Sequence, residues 1–356
     1  MKHLITFILI LGIPCVSTFA STQSISTNVD HYYEVEKLPQ SIGFGSCAKE
    51  FKPQPILKTI ADMNPDLFIY LGDNIYADYL NKKQYRGTPE RPYVDGKDLQ
   101  HMKAKYAQLA KKKEFIHLKK TTKLIATWDD HDYGANDSGK EYPYKEQSKK
   151  IFLDFWEEPS DSKRRQREGI HTSYYYKNGN NSLQILLLDT RTFRDLLNTK
   201  NGKVSPHTDP KKSILGKTQW SWLENQLNLP ATRRIICTSI QFGHQFNGYE
   251  SWTNFPHEKQ KMLDLIEKTK VKNITFISGD VHWGEISKIK EGLYDITASG
   301  LTETWYKTSP NKFRVGKAMK EHHFGWCEFN WETKSVTFQL RNKKSKVVNE
   351  LIIPSL

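Results

Sequence analysis

Leu67-Phe68-Ile69-Tyr70-Leu71-Gly72-Asp73-Asn74-Ile75-Tyr76 is a short apolar and aromatic run that stops at a glycine and a carboxylate. Such a run reads as a strand, and the Gly-Asp as the loop leaving its C-terminal end. The pattern recurs along the chain. Ile42–Gly45 runs into Ser46-Cys47, and Leu124–Thr127 into Trp128-Asp129-Asp130-His131-Asp132, then Asn136-Asp137. Leu183–Leu188 runs into Asp189-Thr190-Arg191, and Ile274–Ser278 into Gly279-Asp280-Val281-His282. Arg234–Thr238 is a further strand. Helical patterns lie between them at Ile56–Met63, Leu99–Leu118, Lys145–Trp156, Lys217–Leu227 and His257–Lys268. In Lys217–Leu227, Trp220, Leu223 and Leu227 share one face. Strands alternating with helices imply an α/β fold with parallel strands. Residues 283–298 and 324–353 are strand-like with few helical signals, so antiparallel strands are expected there.

The chain opens Met1-Lys2-His3, runs apolar from Leu4 to Val16 and reaches Ser17-Thr18-Phe19-Ala20. One basic residue, a short apolar core and small residues at a cleavage position read as a removable signal peptide over residues 1–20. The run is too short to span a bilayer comfortably, and no other segment is apolar enough to cross a membrane. Cys15 suggests lipidation, but Pro14 fits a lipobox poorly. A secreted or periplasmic protein is expected. Residues 21–40 are polar and read as a leader into one large domain, 41–356. The formal net charge is +13, and removing Lys2 with the signal peptide leaves +12. Such a charge favours anionic partners without choosing among them. The lysine and arginine runs at 111–113, 163–167 and 343–346 lack interleaved aromatics, which argues against a dedicated nucleic-acid module. Cys47, Cys237 and Cys327 are too few and too widely spaced for a disulfide framework.

In α/β sheets ligands bind beyond the carboxyl ends of the strands, so the five polar clusters should converge. Asp73, Asp130 and Asp280 offer hard oxygen ligands, His282 an imidazole nitrogen and Cys47 a thiolate. Carboxylates suit calcium, magnesium, manganese or ferric iron, while nitrogen and sulfur favour transition metals. The mixture points to a multinuclear site with unlike ions. A single Gly-Asp after a strand is more often a capped turn; five in register are harder to explain that way.

These motifs together resemble the alkaline phosphatase D-like (PhoD-like) family of the metallophosphoesterases. The resemblance rests on Gly45-Ser46-Cys47, Leu71-Gly72-Asp73-Asn74-Ile75-Tyr76, Trp128-Asp129-Asp130-His131-Asp132, Leu188-Asp189-Thr190-Arg191, Glu250-Ser251-Trp252 with Phe255-Pro256, and Gly279-Asp280-Val281-His282. It covers roughly residues 40–300. It implies a four-layer α/β/β/α sandwich with mixed sheets and metals at one edge, residues 41–356 forming the catalytic domain. By resemblance Asp73 bridges two metals, Cys47 and Tyr76 are iron ligands, and Asp130 takes the superfamily's metal-binding asparagine position. His131 matches the histidine that helps expel the leaving group, and Asp280 and His282 match the closing motif. The cofactors implied are Fe3+ with Ca2+, another divalent metal being the alternative. The chain departs from the family in three places. The β-sandwich that many relatives carry ahead of the catalytic domain is expected to be absent. Asp132 stands where glutamate is usual. The additional metal-binding histidine has no fixed counterpart, Gln241 and His244 both lying near its place.

The resemblance implies hydrolysis of phosphate mono- and diesters at alkaline pH by a metal-activated hydroxide. A phospholipase-type diesterase of the same family is an alternative within it. Arg191 is either a phosphate clamp or the salt-bridge partner of Asp189. His131 protonates the leaving oxygen or supports Asp129 or Asp132. Tyr76, Trp128, Tyr133, Trp252 and Trp283 fall near the motifs and could wall a pocket, although such aromatics are more often packing. Two rivals are an anion-binding protein without catalysis and a serine hydrolase. Gly43-Phe44-Gly45-Ser46-Cys47 does not supply the nucleophile elbow the latter needs.

Overall fold

Along Leu67–Leu71, residues 67, 69 and 71 face one core while Phe68 and Tyr70 face another, so this strand is buried on both sides. That division repeats across the molecule and sets its layers. The computed structural model describes residues 25–81, 84–85, 99–200, 203–246 and 248–355; the expected signal peptide lies outside them.

Two large sheets pack face to face. The first has six strands in the order Val347–Ile353, Ser335–Asn342, His323–Asn330, Ser41–Gly45, Leu67–Leu71 and Lys123–Thr127. Its last three are parallel, and the C-terminal three join antiparallel, as expected for 324–353. The second has eight strands: His31–Glu34, Thr172–Asn178, Asn181–Leu187, Arg233–Thr238, Ile274–Ser278, Leu293–Ala298, Gly284–Lys290 and Arg314–Met319. Asn181–Leu187 to Leu293–Ala298 run parallel at its centre. Ile42, Phe44, Ile69 and Leu71 of one sheet meet Ile185, Leu187, Ile235, Cys237 and Ile277 of the other in the central core.

Helices cover both outer faces. Pro55–Asp62, Gln100–Ala110, Lys113–Thr121 and Lys145–Phe155 pack on Phe68, Tyr70 and Trp326. Gly216–Leu227 and Pro256–Lys268 pack on Leu186, Ile236 and Phe276. Each sheet thus hides one face on the other and one under helices, giving the α/β/β/α sandwich. Among the described residues no helix is long and apolar enough to cross a membrane.

Three features differ from the sequence expectation. The single helix expected over Leu99–Leu118 is two, broken at an extended Lys112. At about 100° per residue, Leu109 and Leu118 would lie on opposite faces of one straight helix; the break lets both be buried. Part of the 21–40 leader belongs to the fold: His31–Glu34 pairs in parallel with Thr172–Asn178. Rings of His31, Tyr32 and Tyr33 stack on those of Tyr174, Tyr175 and Tyr176, with centroids 4.4, 5.9 and 5.0 Å apart. The Thr172–Asn178 strand itself was not expected from the sequence. It forms a hairpin with Asn181–Leu187 across Gly179 and Asn180.

Candidate metal centre

The parallel strands of both sheets release their loops at one edge, and backbone bonds tie those loops together. Ser46 N–H donates to Ala298 O at 3.1 Å, Ala48 N–H to Asp73 O at 2.9 Å and Gly279 N–H to Ser239 O at 3.0 Å. The chain turns sharply here: Cys47, Asp73, Asp280 and His282 all have left-handed backbones, with φ of 63°, 53°, 73° and 62°. Gly72, at φ 107°, lies so close to the neighbouring loop that a Cβ would sit 2.5 Å from Asp129 Cβ. Only glycine lets these two strand ends approach.

Three overlapping groups of potential ligands result. Donor atoms of Cys47, Asp73 and His282 lie within 4.8 Å of one another, as do those of Asp73, Asp130 and His131, and those of Asp130, Asp137 and Glu250. Asp73 belongs to the first two groups and Asp130 to the last two. Tyr76 completes the first: its hydroxyl donates to Asp73 Oδ2 at 3.1 Å and lies 3.4 Å from His282 Nε2. Cys47 Sγ is 3.5 Å from the same Asp73 oxygen. Asp280 joins no group through its side chain among the described residues. Its carbonyl lies 3.5 Å from Cys47 Sγ, and the residue lines the same cavity of about 240 Å³ as Asp73, Asp130, His131 and His282.

The electrostatics are those of a site built for cations. Burial first, then neighbouring carboxylates, raises the pKa of Asp73 and Asp280 well above the ordinary value. Burial lowers that of His282 to about 4. Asp130 is the exception: burial pushes it up, but His131, Arg191 and the Asp137 N–H hold it down to about 2. Asp73 Oδ1 is buried without a hydrogen-bond partner. Buried acceptors normally find one, and a cation is a fitting partner for this one.

His131 lies against the first group, its ring stacked on Tyr76 with centroids 4.1 Å apart. Its Nδ1–H donates to Asp78 at 2.8 Å, so its carboxylate partner is neither Asp129 nor Asp132. Asp132 holds the loops instead, accepting from Asp129 N–H at 2.6 Å and Asn74 N–H at 3.1 Å.

Arg191 is fully buried, and neither sequence expectation describes it. Its guanidinium donates to Asp129 at 2.6 Å, Glu250 at 2.7 Å and Ser138 O at 3.3 Å. It does not line the cavity, and a guanidinium already engaged by two carboxylates does not serve as a phosphate clamp. Nor does it pair with the Asp189 side chain. That carboxylate instead receives Arg191 N–H at 2.9 Å, Trp128 Nε1–H at 2.9 Å and Ile170 N–H at 2.8 Å. Arg194 Nε also lies 2.8 Å from Glu250. With two arginines on Glu250, the third donor group is an ion-pair network rather than a third cation site.

Neither residue near the additional histidine's place joins the cavity. Gln241 donates to Glu285 at 2.9 Å, and His244 Nε2 is 3.7 Å from the same carboxylate. Of the aromatics singled out, Trp128, Tyr133 and Trp252 are buried packing residues, Tyr76 reaches the first donor group through its hydroxyl, and Trp283 lines the cavity. Tyr249 and Trp305, which the sequence reading passed over, line it as well. Asp78 and Asp137 were also missed as site residues. Asp78 lies two residues beyond Tyr76, and Asp137 seven beyond Asp130. Among the described residues, Cys47, Cys237 and Cys327 are buried and form no disulfide.

Comparison with known proteins agrees with this architecture. Residues 42–310 match the family model described as PhoD-like phosphatase. The curated protein alkaline phosphatase D of Bacillus subtilis (strain 168) is 24% identical over 283 residues, 69% of this chain but 46% of its own length. The chain therefore spans about half the length of that relative. Among solved structures, PhoD superposes with a TM-score of 0.65 at 18% identity, over 90% of this chain and 70% of the other. GAP50, the anchor in the inner membrane complex of Plasmodium, gives 0.57 at 12% identity, over 90% of each chain. At such identities these likenesses bear on the fold alone.

Proposed function

The chain belongs to the PhoD-like phosphatase family, and from that premise we propose that it is an exported, metal-dependent phosphoesterase acting on phosphate mono- and diesters at alkaline pH. The observation that carries this reading is the character of the cavity. Asp73, Asp130, Asp137 and Asp280 all line it. Such a cavity repels a phosphate ester unless cations stand between. A non-catalytic anion-binding protein has no use for it, whatever the net charge of +13 on the whole chain.

The donor chemistry suits two unlike ions. Cys47, Tyr76, Asp73 and His282 would hold ferric iron, with Asp73 shared. Asp130 and Asp73 would hold calcium, with the carboxylates of Asp137 and Asp280 lining the same cavity. Bound there, the ions would supply Lewis acidity. The chain's own residues orient and protonate. Asp78 accepts from His131 Nδ1–H and stacking on Tyr76 fixes the ring plane, so His131 is held to give a proton to the leaving oxygen. Lys49 lies over the Tyr76 ring at 4.8 Å, its ammonium held by Glu303 at 2.9 Å. Export is supported by Lys2 and the apolar run Leu4–Val16.

Assays with bis-p-nitrophenyl phosphate, p-nitrophenyl phosphate and a choline phospholipid, with and without chelator, test the reading alongside elemental analysis. Chelator-sensitive hydrolysis of at least one is expected. No hydrolysis by metal-replete protein would overturn it, and monoester activity alone would remove the diester claim. N-terminal sequencing of the extracytoplasmic fraction tests export.

A further inference from the structure

Trp305 and Tyr249 stand at the mouth of the acidic cavity and stay open to solvent, 39% and 47% exposed. Adjoining aromatic rings partly exposed at the rim of a polar cavity offer a contact surface to whatever enters it. The two rings meet edge to face with centroids 5.2 Å apart, and Trp305 lies 5.4 Å from the His282 ring. Both are anchored. Trp305 N–H donates to His282 O at 2.9 Å, so the indole is carried by the same turn as a candidate ligand. Tyr249 precedes Glu250, which two buried arginines hold, and its carbonyl accepts from Asn254 Nδ2 at 3.1 Å. The backbone that carries both rings is held in place, which limits the ordering needed when a ring settles against them.

Resting on the phosphoesterase reading, we propose that Trp305 and Tyr249 form a subsite for a planar ring carried by the ester, an aryl group or nucleobase, whose phosphate lies over Asp73 and His282. A flat ring gains from contact with Trp305 and Tyr249 together. A short alkyl ester reaches neither. The subsite therefore makes ring-bearing esters the favoured substrates.

Binding of non-hydrolysable phosphonates to the metal-replete protein, measured by calorimetry, tests this without relying on turnover. Phenylphosphonate should bind about tenfold or more tightly than methylphosphonate, in line with the worth of one aromatic stack. In Trp305→Ala that ratio should fall towards one, and Trp305→Phe should restore most of it, with metal content checked by elemental analysis. Cyclohexylphosphonate binding as tightly as phenylphosphonate would overturn the planar-ring assignment. An adenosine 5′-phosphonate distinguishes the ring's source: the ligand that loses more affinity in Trp305→Ala is the one the subsite fits. Equal binding of phenyl- and methylphosphonate by the wild type, or a ratio unmoved in Trp305→Ala, overturns the subsite while leaving the phosphoesterase reading intact. Failure of every phosphonate to bind overturns both.

Discussion

Cys47 takes a left-handed backbone that costs a non-glycine residue on the order of 1–3 kcal/mol. A fold keeps such strain where something else demands that residue, and here its sulfur faces the carboxylate of Asp73 at 3.5 Å. Thiolate or phenolate on ferric iron absorbs visible light, so the purified protein should be coloured. Cys47→Ser or Tyr76→Phe should shift or abolish that colour, read by absorption spectra with elemental analysis. A colourless, fully active zinc protein would exclude the iron assignment. His131→Ala should lower turnover about 10²–10⁴-fold while retaining metal. The deficit should shrink for nitrophenol esters, whose leaving group needs little protonation. Asp73→Asn should lose metal and activity together. If His131→Ala also lost its metal, the histidine would have to be counted among the ligands.

At the scale of elements, the parallel strands were legible because their apolar runs end in abrupt polar clusters; Leu67–Leu71 and Ile274–Ser278 agree to the residue. The Thr172–Asn178 strand escaped because its tyrosines and lysine give no clean alternation, although Asn178-Gly179 marks the hairpin. Cys47, Asp73, Asp130 and His282 were legible as candidate ligand types, and the fold brings their donor atoms into the groups at this edge, with the Tyr76 hydroxyl beside them. Arg191 was misjudged because its partners, Asp129 and Glu250, lie 62 and 59 residues away. Gly72→Ala would force a methyl against Asp129 and should cost roughly 2–4 kcal/mol. Gly179→Ala shares a left-handed backbone but meets nothing within 4 Å, so about 1 kcal/mol is expected. Equal melting shifts would show that conformation, not the close approach, is decisive. Glu158 joins two further elements, lying 3.4 Å from His31 and 3.3 Å from Arg164. Burial would raise its pKa, but these partners outweigh it and hold it at about 2, below the ordinary 4.5. A depressed carboxyl stabilises the fold above its unfolded pKa, and that contribution is lost as pH falls from about 4.5 towards 2. Glu158→Gln should therefore be destabilised by roughly 2–3 kcal/mol at neutral pH, with the gap narrowing through that window. A gap constant with pH in acid denaturation would refute the assignment.

For the molecule as a whole, buried carboxylates at one edge repel each other unless cations intervene. Chelation should lower the melting temperature of the entire fold, and adding metal back should raise it in a concentration-dependent way, as for any ligand bound only by the native state. An unchanged melting temperature after verified metal removal would show that the edge is stable by itself. The order of strands adds something else. Ser41–Gly45, which delivers Cys47, pairs on one side with Leu67–Leu71 and on the other with His323–Asn330. During synthesis the three parallel strands are complete at Thr127, long before His323–Asn330 emerges, which leaves an unpaired edge beside the candidate ligands in the meantime. Synthesis runs from the N-terminus, so this sheet cannot close until His323–Asn330 has emerged.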